Sequence, residues 1–356
     1  MKAMVLTGPG TWEIRNDVAV PEPGPEEVLC KIGGVAICGS DPEIIHGGLA
    51  GIWPPAYPFI AGHEWAGRVV AAGSRVTDYK PGDRVAGEAH KGCGHCKNCL
   101  QGRYNLCLNY GKGEAGHRHY GFTVNGAYAQ YNTYHMKSIT KLPDNVSYKE
   151  AAMCDTAGVA LHGLELAGIT PGSTVAVIGP GPIGMMAMKL AKAMGAAKVI
   201  VVGRNPRLEA ARRLGADELV DFSVCDPVEA VRSLTGGLGV EVAVEASGAP
   251  GTIVQGLSMC GKGGKVVMLG VAKDGVTEDI PLKYTTHNEL SLLGSRANPN
   301  VSWKVIELIS SGTIDVLDMV THTFELDQAG EAFETFEKRI GGAMKVVIYP
   351  NGGEDV

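Results

Sequence analysis

The stretch Thr174–Gly184 reads TVAVIGPGPIG and joins an apolar run to the pattern G-x-G-x-x-G. The run predicts a buried strand, and the residues beyond it predict a helix to about residue 194. At such a turn the first glycine permits the sharp bend, the second admits a pyrophosphate and the third lets helix pack on strand. The helix N-terminus directs free amide groups at the phosphates. An ordinary glycine turn is the competing interpretation. The predicted cofactor contacts are Gly179, Gly181, Pro182, Ile183 and Gly184.

The second predicted strand of this region ends at Gly203, where an NAD enzyme usually carries Asp or Glu for the ribose 2′-hydroxyl. Without a carboxylate there is no repulsion of a 2′-phosphate, and Arg204 and Arg207 offer guanidinium groups suited to phosphate. The alternative is that both arginines are ordinary solvated charges. We therefore expect NADP to be favoured over NAD.

Outward from this stretch, apolar runs alternate with helical stretches. Strands are predicted at 198–202, 240–245 and 265–269, and helices at 206–214 and 251–259. Apolar runs joined by crossover helices favour a doubly wound parallel sheet. Residues 1 to about 141 instead show short runs separated by Pro and Gly, which predict an antiparallel, barrel-like β domain. The last sixty residues, with predicted helices at 303–310 and 329–338 and a strand at 344–348, fit either domain.

The bulk composition narrows the class of protein. A chain of 356 residues exceeds the size of most single cores, so two domains are expected. A net charge of −6 and a pI near 5.9 provide no basic surface for nucleic acid or an anionic membrane. No run of eighteen apolar residues predicts a membrane span. Because no targeting segment is recognisable, the cytoplasm is the expected location.

Four cysteines have the spacing C-x2-C-x2-C-x7-C, which suits one tetrahedral zinc ion: Cys93, Cys96, Cys99 and Cys107. Two disulfides or four buried thiols are the alternatives. The odd total of nine cysteines and the missing signal peptide make a secreted disulfide scaffold less consistent. The pattern predicts a structural zinc lobe at about residues 90–110, because a closed site has no position for substrate.

Several further motifs occur in one order along the chain. They are Cys38-Gly39-Ser40-Asp41, Gly62-His63-Glu64, Pro81-Gly82-Asp83-Arg84-Val85, the four cysteines, the glycine stretch, Thr321-His322-Thr323-Phe324 and Ala332-Phe333-Glu334. With this set the chain resembles the zinc-containing medium-chain dehydrogenases/reductases, closest in pattern to the polyol branch that includes sorbitol, butanediol and threonine dehydrogenases. The resemblance implies a GroES-like β-barrel catalytic domain, 1–153 with 295–356, and a Rossmann domain, 154–294.

The resemblance also implies a catalytic zinc held by Cys38, His63 and a residue near 155, with one position open for water or substrate. Asp155 stands where polyol dehydrogenases carry Glu. Direct ligation by Asp155, a water bridge and ligation by Cys154 stay open, with Glu64 as an alternating or supporting carboxylate. Arg296 and Lys345 resemble positions that touch cofactor phosphates.

Proton transfer is the remaining role that the resemblance assigns. Ser40 corresponds to the hydroxyl that passes the alcohol proton toward the cofactor ribose. Where many relatives carry a histidine as the exit of this relay, the chain has Glu43, and His46 is a nearby candidate.

The expected activity is reversible oxidation of a secondary hydroxyl of a polyol or diol to a ketone, with two zinc ions per chain and NADP or NAD. We expect a homodimer or homotetramer. The alternatives are a threonine-like amino-alcohol or simple alcohol dehydrogenase, and a non-catalytic, zinc-stapled nucleotide-binding protein.

Overall fold

A computed structural model describes residues 1–353, and the chain divides into two compact units. The first unit is Met1–Thr156 together with the chain from Asn298 onward, and the second is Ala157–Ala297. The predicted boundaries followed residues 153 and 294, so each lies three residues earlier than in the structure. As a result Asp155 belongs to the first unit, with the other predicted catalytic residues.

The N-terminal part of the first unit is rich in strands. The strands are β1 (Ala3–Gly8), β2 (Thr11–Arg15), β3 (Glu27–Ala36), β4 (Glu64–Ala72), β5 (Arg84–Gly87), β6 (His90–Lys91), β7 (Arg118–His119), β8 (Tyr131–His135) and β9 (Ile139–Lys141). The helices are α1 (Ser40–Ile45), α2 (Lys97–Leu100), α3 (Tyr148–Ala151) and α4 (Cys154–Ala167), which continues into the second unit.

The second unit is a doubly wound α/β fold. Its strands are β10 (Thr174–Ile178), β11 (Lys198–Gly203), β12 (Glu218–Asp221), β13 (Val240–Glu245), β14 (Cys260–Met268) and β15 (Ser291–Gly294). Its helices after α4 are α5 (Pro182–Ala193), α6 (Arg207–Arg213), α7 (Pro227–Leu234), α8 (Thr252–Met259) and α9 (Leu282–His287). All neighbouring strands are parallel, in the order β12-β11-β10-β13-β14-β15. This is the 3-2-1-4-5-6 order of a Rossmann sheet, so the predicted fold class is confirmed.

The last part of the chain returns to the first unit and contributes α10 (Ser302–Ser310), β16 (Val320–Glu325), α11 (Ala329–Lys338) and β17 (Lys345–Tyr349). Its two strands extend the sheet of the N-terminal part, in the order β16-β17-β3-β4-β5-β9, and β8 also pairs with β3. Only β16 and β17 among these pairs are parallel. The C-terminal segment, which fitted either predicted domain, therefore completes the first sheet.

The strand register determines which residues meet at one end of this sheet. Ala36, at the end of β3, pairs with Glu64, at the start of β4. Val347 of β17 also pairs with Ala36. The segments that follow β3 and precede β4 and β17 are therefore neighbours. Below them the core contains Trp65, whose ring stacks on Tyr134 with 3.9 Å between ring centroids.

Within residues 1–353, no helix combines the length and the apolar character needed to cross a lipid bilayer.

Candidate active site

Cys38, His63 and Glu64 form a group whose ligand atoms lie within 4.8 Å of one another. Cys38 follows β3, and His63 directly precedes Glu64 at the start of β4. His63 and Glu64 are buried, whereas Cys38 is partly exposed. A thiolate, an imidazole and a carboxylate at this spacing are the ligand types of a catalytic zinc site with an open position. The residues present therefore fit the predicted metal.

Asp41 lies beside the histidine. The carboxylate is fully buried, and its Oδ1 lies 3.4 Å from His63 Nδ1. Its Oδ2 accepts hydrogen bonds from the Cys38 amide at 2.8 Å and from the Tyr128 hydroxyl at 2.7 Å. A carboxylate that faces Nδ1 leaves Nε2 available to a metal. Burial opposes the imidazolium, but Asp41 and Cys38 together raise the pKa of His63.

Glu64 is held by a buried ion pair with Lys345. The Lys345 ammonium contacts Glu64 Oε2 and donates to the Ile37 carbonyl at 2.9 Å. Glu64 Oε1 accepts from the Thr156 hydroxyl at 3.0 Å. Each carboxylate oxygen has a second lone pair, so these contacts do not use up its capacity as a ligand.

The position of Lys345 requires a correction to the sequence interpretation. Lys345 was predicted to touch a cofactor phosphate, but its side chain is only 2% exposed. Burial disfavours the ammonium, yet Glu64 and Cys38 raise the pKa of Lys345. The charge is therefore engaged inside the first unit, where it neutralises Glu64.

Asp155, in the first turn of α4, is not part of the three-residue group. Its carboxylate is buried, and Oδ1 accepts a hydrogen bond from Asn298 Nδ2 at 3.1 Å. Burial raises the pKa of Asp155 to about 6, against the opposing effect of His63. The charge of Glu64 acts in the same direction as burial. Asp155 thus lies close enough to sense both residues electrostatically.

The neighbouring Cys154 is fully buried and its thiol donates to the Ser302 carbonyl at 3.5 Å. Burial raises the pKa of this thiol far above the ordinary value. A cysteine that keeps its proton is a poor metal ligand, because the thiolate is the ligating form.

Ser40, the first residue of α1, has a buried hydroxyl without a hydrogen-bond partner among the described residues. Its sequence neighbours at the predicted relay exit are exposed. Glu43 lies on the surface of α1, and His46 Nε2 is 2.7 Å from Glu337 Oε1. Burying a hydroxyl without a hydrogen-bond partner costs free energy. A hydrogen bond to a substrate hydroxyl would remove this cost.

The four cysteines of the lobe have the geometry of a closed tetrahedral site. Their ligand atoms lie within 4.8 Å of one another, with 3.9 Å between Cys93 and Cys99 sulfurs and 4.0 Å between Cys96 and Cys107 sulfurs. A tetrahedron with metal–sulfur bonds of about 2.3 Å has edges of about 3.8 Å. The spacing therefore fits zinc.

Polar contacts around the Cys93 sulfur favour its thiolate form. Burial opposes ionisation of Cys93, but the Asn109 amide and the amides of His95 and Cys96 lower its pKa to about 5. Asn109 Nδ2 lies 3.4 Å from Cys93 Sγ. Metal binding requires thiolates, so this shell reduces the cost of assembling the site.

The glycine stretch of the second unit takes the form that the sequence predicts. Gly179 directly follows β10 and has φ +102°, and Gly181 is the N-cap of α5, with Pro182 as its first residue and Ile183 next. A Cβ on Gly184 would lie 2.0 Å from the Gly179 carbonyl oxygen. A Cβ on Gly181 would meet only Arg207 Nη1, at 3.6 Å. The turn is thus closed on the sheet side and open at the helix N-terminus, where a pyrophosphate fits.

Gly203 has a steric as well as an electrostatic role. A Cβ at this position would lie 2.5 Å from Pro180 Cγ, so the proline in the glycine stretch leaves no room for Asp or Glu. Arg204 is exposed directly after β11, and Arg207 begins α6 beside Gly181. Arg296 is exposed after β15 and lies three strands from β10 in the sheet.

Sequence reasoning assigned no role to several residues that support the site. They are Asp41, Glu88, Thr156 and Asn298. Asp41 belongs to the motif Cys38-Gly39-Ser40-Asp41, whereas the other three residues lie in none of the sequence motifs. Glu88 follows β5, is 7% exposed, and accepts a hydrogen bond from Ser302 Oγ at 3.1 Å. Burial is the main reason that the pKa of Glu88 rises to about 8, against hydrogen bonds from Tyr104 and Ser302.

Two family models match the chain. Residues 24–144 match the alcohol dehydrogenase GroES-like domain, and residues 182–311 match the zinc-binding dehydrogenase domain.

Similar proteins extend over almost the whole chain. The sorbitol dehydrogenase of Bacillus subtilis is 36% identical over 355 residues, which are 99% of this chain and 98% of that protein. The L-threonine 3-dehydrogenase of the same organism is 33% identical, with 98% and 99% covered. A solved structure described as a zinc-binding dehydrogenase of Sinorhizobium meliloti, bound to NADP, has a TM-score of 0.90 at 35% identity, with 98% and 99% covered.

We predict that Glu88→Gln changes the pH dependence of stability. Because the pKa of Glu88 is about 8 in the folded protein and near 4.3 in an unfolded chain, only the folded protein holds this proton between those values. Stability from this group is therefore lost as pH rises from about 5 to 8. Glutamine does not ionise, so this loss is absent in the variant. Between pH 5 and 8 the free energy of unfolding of the variant should therefore rise relative to that of the wild type by up to about 4 kcal/mol.

Unfolding midpoints at pH 5, 6.5 and 8 measure this gain. The control is Glu114→Gln, which makes the same chemical change at an exposed position and should follow the wild type. Parallel curves for Glu88→Gln and wild type would show that Glu88 is not protonated in the folded protein.

Proposed function

This chain belongs to the zinc-containing medium-chain dehydrogenases/reductases, and from that premise we propose that it oxidises a secondary hydroxyl of a polyol or diol to a ketone, with NADP as the preferred hydride acceptor. Membership makes it an oxidoreductase. The sorbitol dehydrogenase relative, matched over nearly the full length of both chains, supports the polyol class of substrate.

The observation that carries the proposal is the group of Cys38, His63 and Glu64 beside the unpartnered hydroxyl of Ser40. A zinc ion at a site with an open position acts as a Lewis acid that makes a substrate alcohol easier to deprotonate. Ser40 then accepts the hydrogen bond of the alcohol and holds its proton at Oγ. The fit of a substrate hydroxyl to this buried oxygen supports the role.

The remaining residues tune this centre. Asp41 lies beside the His63 ring, and Lys345 keeps the negative charge of Glu64 balanced. We propose that Asp155 completes the metal shell, directly or through water, with Glu64 as the alternating carboxylate. The hydrogen bond from the buried Cys154 thiol to the Ser302 carbonyl supports a carboxylate in that position. The four-cysteine lobe holds the second zinc ion, which stabilises the fold and takes no part in turnover.

In the second unit, the glycine stretch would hold the pyrophosphate of a nicotinamide cofactor, which would supply the hydride acceptor. Gly179, Gly181 and Gly184 shape the turn, while Pro182 and Ile183 begin the helix at the phosphates. The absent carboxylate at Gly203 and the guanidinium groups of Arg204 and Arg207 support NADP. The related structure from Sinorhizobium meliloti was solved with that cofactor. Arg296 remains a proposed phosphate contact.

The first test is the initial rate of reduced nicotinamide formation with sorbitol, 2,3-butanediol, threonine and ethanol, each with NADP and with NAD. We expect turnover of a polyol or vicinal diol, faster with NADP, in protein that contains two zinc ions per chain. Preference for threonine would replace the substrate class and leave the site chemistry intact. Protein with two zinc ions and no turnover of any substrate would contradict the proposal.

The second test changes Ser40. We expect Ser40→Ala to lower kcat by about 10²- to 10⁴-fold, the usual contribution of a positioned proton-transfer group, with little change in zinc content. Ser40→Thr keeps the hydroxyl and should restore most of kcat. If alanine and threonine behave alike, Ser40 does not hold the proton.

The third test addresses the cofactor. Arg204→Ala should raise KM for NADP about tenfold and leave KM for NAD within about twofold, because only NADP has the 2′-phosphate. Arg213→Ala removes the same charge at the far end of α6 and is the control. An equal rise for both cofactors would show that Arg204 does not recognise the 2′-phosphate.

A further inference from the structure

The segment Asn298–Ser302, which enters α10, contacts two distant parts of the first unit. Asn300, at its centre, has φ +61°, a left-handed conformation that asparagine tolerates better than most residues. This conformation separates the side chains on either side of it. The segment therefore has one set of contacts with the four-cysteine lobe and another with the candidate active site.

The contacts with the lobe come from Asn300. Its backbone amide donates to the Tyr104 hydroxyl at 2.8 Å, and its Nδ2 donates to the Gly102 carbonyl at 2.8 Å. Gly102 and Tyr104 both lie between the third and fourth cysteines. The position of this loop depends on the two thiolates that flank it, so the position of Asn300 depends on the closure of the lobe.

The contacts with the active site come from the two ends of the segment. Asn298 is 1% exposed, and its Nδ2 donates to Asp155 Oδ1 at 3.1 Å. Ser302 Oγ donates to Glu88 Oε2 at 3.1 Å, and the Ser302 carbonyl accepts from Cys154. The residues before and after Asn300 thus hold the first turn of α4, where Asp155 lies.

We propose that Asn298 and Asn300 are positioning residues, which hold the Asp155 carboxylate at the catalytic centre against the four-cysteine lobe. The lobe, which has no open position for substrate, thereby sets the geometry of a site that its own ligands do not belong to. This inference rests on the proposed role of Asp155 in the catalytic metal shell. Loss of such an outer hydrogen bond typically costs about 10- to 100-fold in activity or metal affinity.

The physical argument concerns the freedom of one carboxylate. The Asp155 carboxylate accepts a directional hydrogen bond from Asn298 Nδ2 at 3.1 Å. Its other neighbours, His63, Glu64 and Lys345, act on it through charge, which does not fix a rotamer. A directional bond does fix a rotamer, because its strength falls steeply with angle. Without Asn298 the carboxylate can adopt other rotamers.

The experiment uses the full-length zinc enzyme and three variants. Asn298→Ala removes the bond to Asp155. Tyr104→Phe removes the acceptor of the Asn300 amide on the lobe side, together with the hydrogen bond from Tyr104 to Glu88. Asn300→Gly retains the left-handed backbone and removes only the side-chain bond to Gly102. The control is Asn145→Ala, which breaks two hydrogen bonds to Ser310 at the other end of α10.

For Asn298→Ala we expect kcat to fall about 10- to 100-fold with KM within about threefold. Tyr104→Phe and Asn300→Gly should lower kcat in the same manner by about threefold or more. Unfolding midpoints should fall no further than for Asn145→Ala. With Co²⁺ in the catalytic site, the visible absorption spectrum of Asn298→Ala should differ from wild type, while the control spectrum should not.

The double variant Asn298→Ala/Asn300→Gly decides whether the lobe acts through the segment, because Asn300→Gly changes only the bond to Gly102. If it does, the two losses in kcat do not multiply, because Asn298 no longer transmits the change. Losses that multiply would contradict the link to the lobe. An unchanged cobalt spectrum and kcat for Asn298→Ala would overturn the positioning role itself. An inactive wild type would count against the proposed activity alone, since the cobalt spectra still report on Asp155.

Discussion

The buried ion pair between Lys345 and Glu64 is the interaction on which the centre of the first unit depends. Each side chain is 2% exposed, and removing two such charges from water costs several kcal/mol per ion unless hydrogen bonds complete the pair. The Ile37 carbonyl and the Thr156 hydroxyl provide those bonds. The lysine lies on β17, the carbonyl directly follows β3, the threonine lies on α4 and the glutamate begins β4. Because the two buried charges need these partners, the ion pair fixes the four segments relative to one another.

The two groups of potential metal ligands are built in different ways. The four cysteines lie within fifteen residues, and local amides and Asn109 already favour ionisation of Cys93. Cys38, His63 and Glu64 lie together because β3 and β4 are antiparallel. Ala36, the last residue of β3, pairs with Glu64, the first residue of β4. The first group closes a short loop and can stabilise it alone. The second requires the complete sheet, and its carboxylate neighbours are held by residues that arrive from the C-terminal part of the chain.

Local patterns explain which sequence predictions succeeded. The parallel sheet, the helix after the glycine stretch and the four-cysteine group followed from spacing and periodicity, which neighbouring residues determine. The domain boundaries were placed three residues early, because α4 is one continuous helix and shows no break where the two units divide. The resemblance supplied Cys38, His63 and Ser40, but it assigned Lys345 to a phosphate. Its true partner is 281 positions away in sequence, and no local feature indicates that pairing.

The sequence by itself determined the two-domain class, the nucleotide-binding turn and the closed cysteine site, because in each the interacting groups are close along the chain. Only the tertiary structure decided how the carboxylates of the candidate site are held. Glu64 is paired with Lys345, Asp155 with Asn298, and Gly203 is confined by Pro180. These contacts depend on strand register and on which buried charges find partners. Strand register and the pairing of buried charges are both properties of the folded chain. A charge without a partner becomes costly only when it is buried in a low-dielectric interior.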